Sequence, residues 1–272
     1  MTSVIIVQFN NFSLTKEAIS SFIKHHKSSG YEIILADNGS MNFDKSEFQK
    51  LFPEIVILDL KENTGFGKAN SLAADIAKGD ILFFLNNDTV TDSEYLSKVE
   101  EKFHNDPEIG IIGARLLNKD FTYQLSHGKL PSFSREFIDK LIYYAFEKKL
   151  KWPVKYLTSK YEKEQYTDWV TGAALFIKKD VFIKAGGFDE KFFMYFEDKE
   201  LCKKTLVLNK KIIYFPEVSL VHLKGGSSSV GNPSYTDREY RKSQIYYYKK
   251  HRHQAESILL SIFLKFSGKY PR

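Results

Sequence analysis

Four short apolar runs, Ser3 to Gln8, Tyr31 to Ala36, Ile55 to Leu60 and Asp80 to Leu85, recur early in the chain with helix-like stretches between them. Leu14 to His26 carries apolar residues at helical spacing, and Gly67 to Ala77 does so again after the Asn63-Thr64-Gly65 break. Strand and helix in alternation admit few folds. Crossovers of the usual right hand make such strands parallel, and unbroken runs such as VIIV and ILFFL suit strands buried on both faces of a doubly wound sheet. With 272 residues and 43% hydrophobic content the chain can fill one good core. The prediction is one α/β domain over residues 1–236, divided into halves 1–90 and 91–236, with a basic amphipathic helical tail over 237–272.

Beyond Asp88 the pattern predicts a helix near Asp92 to His104, capped by Asp92 or Ser93, and a strand over Ile109 to Leu117. A polar, aromatic-rich middle, Tyr123 to Tyr166, follows. Then come a strand from Trp169 to Ile177, a helix start at Lys179-Asp180, a Gly186-Gly187 turn and a helix near Glu197 to Leu206. Asp237 to Phe266 reads as one long basic helix with an aromatic face. The single cysteine, Cys202, excludes a disulfide framework and a cysteine zinc cluster and fits a reducing compartment. No window approaches the roughly 20 apolar residues that cross a bilayer, and MTSVIIVQFN has no signal-like segment, so a cytoplasmic protein is expected. A net charge of +6 favours anionic partners.

In open parallel sheets ligands sit beyond the carboxyl ends of the strands. Here every such end carries polar residues: Gln8 and Asn10 after the first run, Asp37-Asn38-Gly39 after the second, Asn63 to Gly67 after the third, Asn86-Asn87-Asp88 after the fourth. Any one of these is most simply a turn; four in register point to a ligand. Asp88 follows the buried run ILFFLNN, where a carboxylate must bind a cation or cap a helix. Hard carboxylate oxygens at a nucleotide site hold Mg2+ or Mn2+. The segment Thr64 to Asn70 lacks the third glycine of a dinucleotide fingerprint and follows the wrong strand, so a dehydrogenase is rejected. Lys68 and Asn70 are either contacts for a nucleotide's phosphates or ribose, or an exposed helix start. Glu197 and Asp198 follow the aromatic stretch Phe192 to Tyr195, whose desolvation strengthens a carboxylate as a general base, or they simply meet a helix dipole. His222 precedes Lys224-Gly225-Gly226-Ser227, and its neutral imidazole suits a Mn2+-like ion while the glycines let backbone close on a phosphate.

The segments VIIVQFN, ADNGS, NTGFGKAN, LNNDT, DWVTGAALFIKKDVFIKAGGFDEKFFMYFEDKELCKK and VHLKGGS together resemble the family-2 inverting glycosyltransferases, above all the rhamnosyltransferase-like branch that builds bacterial cell-surface polysaccharides. The resemblance implies a GT-A fold, a single Rossmann-like domain with a mixed central sheet and a C-terminal helix. It implies a dTDP- or UDP-sugar donor, with rhamnose the sugar of that branch, and a glycan or lipid-linked acceptor. Residues 1–90 become the nucleotide-binding half and 91–236 the acceptor and catalytic half. The expected nucleotide-sugar residues are Gln8, Asn10, Asp37, Asn63, Gly65, Lys68, Asn70 and Asn87, with Trp169 and Gly172 near the donor sugar or acceptor. Asp88 stands in for the last member of the family's Asp-x-Asp motif, His222 completes the Mg2+ or Mn2+ site, and Asp198 of the Glu197-Asp198 pair is the base. Two departures stand out: Gln8 replaces the branch's usual asparagine, and the metal motif keeps one acid. Acceptor recognition falls to Tyr123 to Tyr166.

A sugar-phosphate nucleotidyltransferase is the alternative enzyme, opposed by QFNNFS where a glycine- and arginine-rich loop belongs. Interleaved basic and aromatic residues from Arg238 to Arg252 also allow a nucleic-acid or membrane-binding protein. The preferred reading excludes nucleic acid. It sets the tail against anionic lipid at the inner face of the membrane, or packs it on the protein's own core or a homodimer partner.

Overall fold

A strand whose side chains are apolar on both faces needs cover on both, and β1 (Thr2–Gln8) is buried along its whole length. In this computed structural model, which describes residues 1–27, 30–148, 150, 159–223 and 233–271, it lies between β2 (Tyr31–Asn38) and β4 (Ile81–Asn86), parallel to both. β3 (Val56–Leu60) extends the parallel half beyond β2. Alternation along the strands divides the core. Val4, Ile6, Leu35 and Phe83 face α1 (Phe12–His25) and α2 (Lys45–Leu51), whereas Ile5, Ile34, Leu82 and Phe84 face α3 (Phe66–Ile76).

The chain then adds β5 (Thr89–Thr91), α4 (Leu96–Asn105), β6 (Ile109–Leu117), β7 (His127–Gly128) and α5 (Phe133–Glu147). After these come β8 (Gln165–Tyr166), β9 (Trp169–Val170), β10 (Ala174–Lys178), α6 (Lys179–Lys184), α7 (Glu197–Val207) and β11 (Lys211–His222). The main sheet runs β3-β2-β1-β4-β10-β6-β11-β5, with β8 on β11. β10 is antiparallel to both β4 and β6, which makes the sheet mixed. Phe83 and Phe176 stack across the β4–β10 seam, ring centroids 3.8 Å apart. β11 pairs with β6, slips its register between Phe215 and Ser219, and resumes toward His222. Pro216 lies in that slip, having no N–H to give the ladder.

Three expectations need correction. The strand from Trp169 to Ile177 is two, because the chain leaves the small β7–β9 sheet at Thr171 and enters the main sheet at Ala174. Neither Asp92 nor Ser93 caps α4; its first turn is closed by Glu94, whose carboxylate accepts from the Ser97 N–H and hydroxyl. The tail is two helices, α8 (Pro233–His251) and α9 (Gln254–Phe266), broken at Arg252-His253. Both join a core cluster with Phe192 and Phe196, so the expected break at residue 236 falls inside a packed helix. No described helix is long and apolar enough to cross a membrane.

Replacing Phe83 by Ala removes one half of the stacked pair from a fully buried position. The expected cost is about 3–5 kcal/mol, read as a lower denaturant midpoint at unchanged slope; a loss under about 1 kcal/mol would show that the seam does not depend on this ring.

Candidate active site

Because β1 is flanked in parallel by β2 and β4, their carboxyl ends lie side by side, Gln8 opposite Asp37 and Val7 opposite Asn86. Gln8 donates its amide to Asp37, and the other Asp37 oxygen accepts from the Ser40 N–H at 3.0 Å. Thr15 of α1, whose one hydroxyl hydrogen is shared between the Asn11 carbonyl at 2.8 Å and Gln8 at 3.2 Å, accepts from Asn87 at 3.0 Å. One buried polar chain thus joins three strand ends. Asn10, in left-handed backbone at φ 53°, accepts from the Met41 N–H and pins the loop after β2.

The approach to α3 is shaped by two asparagines. Asn38 holds the Thr64 N–H at 2.9 Å and donates to Asn63 at 3.0 Å, while Asn63 accepts from the Gly65 N–H. Gly65 has φ 87°, and a Cβ there would stand 2.4 Å from the Phe193 carbonyl oxygen, so only glycine fits. That carbonyl accepts from the Phe66 N–H at 2.8 Å, tying α3 to the segment before Asp198. Lys68 is partly exposed and pairs with exposed Glu190 at 3.1 Å. Asn70 is buried and spends its amide on the Phe66 carbonyl of its own helix.

Asp88 is 4% exposed and lies 3.1 Å from His222 Nε2. The two meet because His222 pairs with Thr89 in the antiparallel β5–β11 ladder. Gln124 fixes the imidazole: its amide nitrogen donates to the Leu117 and His222 carbonyls, so its oxygen must face His222 Nδ1, at 2.9 Å. Nδ1 therefore carries the hydrogen, and Nε2 turns toward the carboxylate. A lone pair against a carboxylate at that distance is repulsive unless a proton or a metal ion lies between them. Asn86 Oδ1 is buried nearby without a hydrogen-bond partner among the described residues, while its amide nitrogen is 3.3 Å from Nε2. No three His, Cys, Asp or Glu converge among the described residues. One carboxylate, one imidazole and an amide oxygen suit a Mg2+ or Mn2+ whose remaining ligands are phosphate oxygens and water.

Asn86 also links this corner to the next, since its N–H donates to Ala173 and the preceding Gly172 N–H donates to Asp198 at 3.1 Å. Asp198 is the second residue of α7, which follows Tyr195 (φ 68°) and Phe196 (φ 67°). Two consecutive non-glycine residues in left-handed backbone cost about 1–3 kcal/mol each. Packing offsets it: Phe196 is buried against Tyr240 and Tyr247 of α8, and Ser243 of α8 donates to the Met194 carbonyl at 2.7 Å. Glu197 is buried with one oxygen lacking a hydrogen-bond partner among the described residues, and burial, reinforced by the neighbouring Asp198 charge, raises its pKa well above the carboxylate range. The Lys199 ammonium is 4.5 Å from the centre of the Trp169 ring and 3.8 Å from Asp198.

Sequence reading missed Thr15, Gln124 and Lys199, none of which stands in a strand-end cluster. Lys224 to Ser227 lies outside the described residues.

The model of the family described as Glycosyl transferase family 2 matches residues 3–176. N-acetylglucosaminyl-diphospho-decaprenol L-rhamnosyltransferase of Mycobacterium tuberculosis is 23% identical over 231 residues, covering 80% of this chain and 75% of its own. Among solved structures, the mannosyltransferase PcManGT from Pyrobaculum calidifontis, in complex with GDP-Man and Mn2+, superposes with a TM-score of 0.62 at 15% identity over 92% of this chain. GalNAc-T7 with UDP, GalNAc and Mn2+ gives 0.63 at 19% identity over 91%. The chain spans 63% and 49% of those two structures. Their likeness establishes the GT-A fold.

The raised pKa of Glu197 has a consequence for stability. In the unfolded chain this group ionises near about 4.3; folded, it keeps its proton to higher pH. Between the two the folded state binds more protons, so stability falls as pH rises through that window. Glu197→Gln removes the effect. Relative to wild type, its Tm should be nearly unchanged at about pH 5 and higher by at least about 2 °C at about pH 8.5; a pH-independent difference would remove the assignment.

Proposed function

The chain belongs to glycosyl transferase family 2, and on that premise we propose that it transfers a hexose from a dTDP- or UDP-linked donor to a hydroxyl of a glycan or lipid-linked acceptor, with inversion. The observation that carries the reading is that Asp198 and the Asp88–His222 pair share one sheet rim, joined through Asn86, Ala173 and Gly172. The M. tuberculosis rhamnosyltransferase supports a lipid-linked acceptor and rhamnose as the sugar. GDP-Man in one structure, UDP in the other and Mn2+ in both support a nucleoside-diphosphate-linked donor and a divalent metal, without choosing the base.

In this reading residues 1–90 bind the nucleotide and 91–236 carry the chemistry. Gln8, Asn10 and Asp37 form the floor for the nucleoside; Asn63, Gly65 and Asn87 line the same rim, and Lys68 faces the phosphates. Asn70, its amide already engaged, shapes the start of α3. Asp88 and His222 would hold Mg2+ or Mn2+, which neutralises charge on the departing nucleoside diphosphate. Asp198 takes the proton of the acceptor hydroxyl as its oxygen attacks the anomeric carbon. The bond to the diphosphate breaks on the opposite face, and no covalent enzyme intermediate forms. Glu197 stays neutral and leaves Asp198 as the charge at the turn. Trp169 and Gly172 border the space where sugar and acceptor meet, with Lys199 over the indole.

Asp198→Asn should lower turnover by about 10²–10⁴-fold with donor affinity within about threefold of wild type; turnover within tenfold would take the base role from Asp198. Gln124→Leu frees the imidazole and should weaken Mn2+ affinity, measured with nucleoside diphosphate present, by about 10–100-fold. Unchanged affinity would separate His222 from the metal. Thermal shifts with dTDP-, UDP- and GDP-sugars, each with Mn2+ or chelator, identify the donor; no metal-dependent shift from any of them counts against the reading.

A further inference from the structure

α9 is held by one face. Leu260 and Leu264 are buried in the cluster shared with Ile245, Tyr247 and Phe192. On its other side Ile258, Leu259, Ile262, Phe263 and Phe266 are 50, 49, 45, 46 and 89% exposed. Their positions, i, i+1, i+4, i+5 and i+8, make one apolar stripe along a helix of 13 residues. α5, which meets α9 where Phe133 packs on Phe263, adds exposed Ile138, Leu141 and Tyr144. A water-facing stripe of this kind marks an interaction surface.

Charge says which. Residues 241–272 hold eight Lys and Arg against a single acid, Glu256, while the whole chain nets +6. The first 240 residues are therefore close to neutral, and the positive charge of the molecule is concentrated on its tail. Glu256 is itself engaged by Arg252 at 2.6 Å and the Phe133 N–H at 3.1 Å. Lys249, Lys265 and Lys269 are exposed, with no carboxylate partner among the described residues. We propose that this face of α9 docks on an anionic lipid bilayer, the stripe entering the interface and the lysines meeting headgroup phosphates. A second copy fits less well, because a two-fold contact would set these lysines near their own duplicates.

Docking here orients the catalytic side. α9 packs on α8, which holds the Tyr195–Phe196 turn ahead of Asp198, so a bilayer under α9 fixes where a lipid-linked hydroxyl arrives. The surface adds a partner to the glycosyltransferase reading and rests on separate observations.

The full chain is sedimented with vesicles of phosphatidylcholine alone or with about one-third phosphatidylglycerol. Partitioning onto the anionic vesicles should be at least about tenfold greater and should fall with salt. Ile262→Glu with Phe266→Glu should lower it about tenfold, with melting temperature and donor-nucleotide binding unchanged, and Lys265→Glu with Lys269→Glu should abolish the anionic preference. Protein that stays in the supernatant with both vesicle types overturns the proposal. So does a dimer in sedimentation velocity that the Ile262→Glu, Phe266→Glu variant dissociates. Donor binding, followed in the same samples, tests the glycosyltransferase reading separately.

Discussion

A strand apolar on both faces can only be central, and much follows from β1 occupying that place. Its parallel register with β2 and β4 sets Gln8, Asp37 and Asn86 at neighbouring strand ends. Sequence separation then stops mattering: residues 29 apart share a hydrogen bond, and Asn87 reaches the same network through Thr15. The polar rim is a by-product of burying VIIV, since the strand must end where the helices no longer cover it.

The other half of the site depends on a costlier arrangement. Tyr195 and Phe196 hold backbone that bulky residues avoid, and such strain persists only where the surroundings over-determine it. Three elements do so: α3 through the Phe66 N–H, α8 through Ser243 and its tyrosines, and β10's approach through Gly172, whose N–H holds Asp198. Fully buried Glu200, one turn into α7, pairs with Lys204 at 3.0 Å and with Lys250 of α8 at 2.7 Å. Burying a charge is tolerable only with partners of this kind, and the Lys250 pair ties α8 to α7.

Legibility in the sequence followed the range of the forces involved. The four parallel strands, α1, α3, β6 and α7 were readable because burial imposes a period that local sequence records. β5 was not, being three residues whose extended form comes from pairing with β11. The Trp169 to Ile177 strand failed for the same reason: apolar content marks burial, but which sheet buries it is a tertiary matter. Asp88 and His222 could be named because each follows an apolar run. Gln124 could not, since nothing local marks an amide whose partners, Leu117 and His222, lie 7 and 98 residues away. The tail's basic and aromatic residues leave open a helix on lipid and one packed on the protein's own core; Tyr247 and Tyr248 are fully buried and Lys250 pairs with buried Glu200, contacts that local sequence does not record.

Charge economy explains the departures from the family pattern. The proposed nucleoside diphosphate site must limit its own negative charge, and three of its four carboxylates are matched within the protein. Asp37 is held by Gln8 and the Ser40 N–H, Asp198 takes two backbone N–H groups, and Glu197 is kept protonated by burial, while Asp88, against the lone-pair side of an imidazole, calls for a proton or a cation between them. An Asn86-Asn87-Asp88 motif with one acid fits that pattern, because a second carboxylate would add repulsion in a buried corner. In the proposed metal site, what the missing acid would have supplied to a cation would fall to His222 and the amide oxygen of Asn86, which approach from different strands. Gln8 in place of asparagine is consistent with the same constraint: its longer amide spans to Asp37 while its oxygen still reaches Thr15. The net positive charge of the chain is carried by residues 241–272, where under the docking proposal the exposed lysines of the tail would meet an anionic surface.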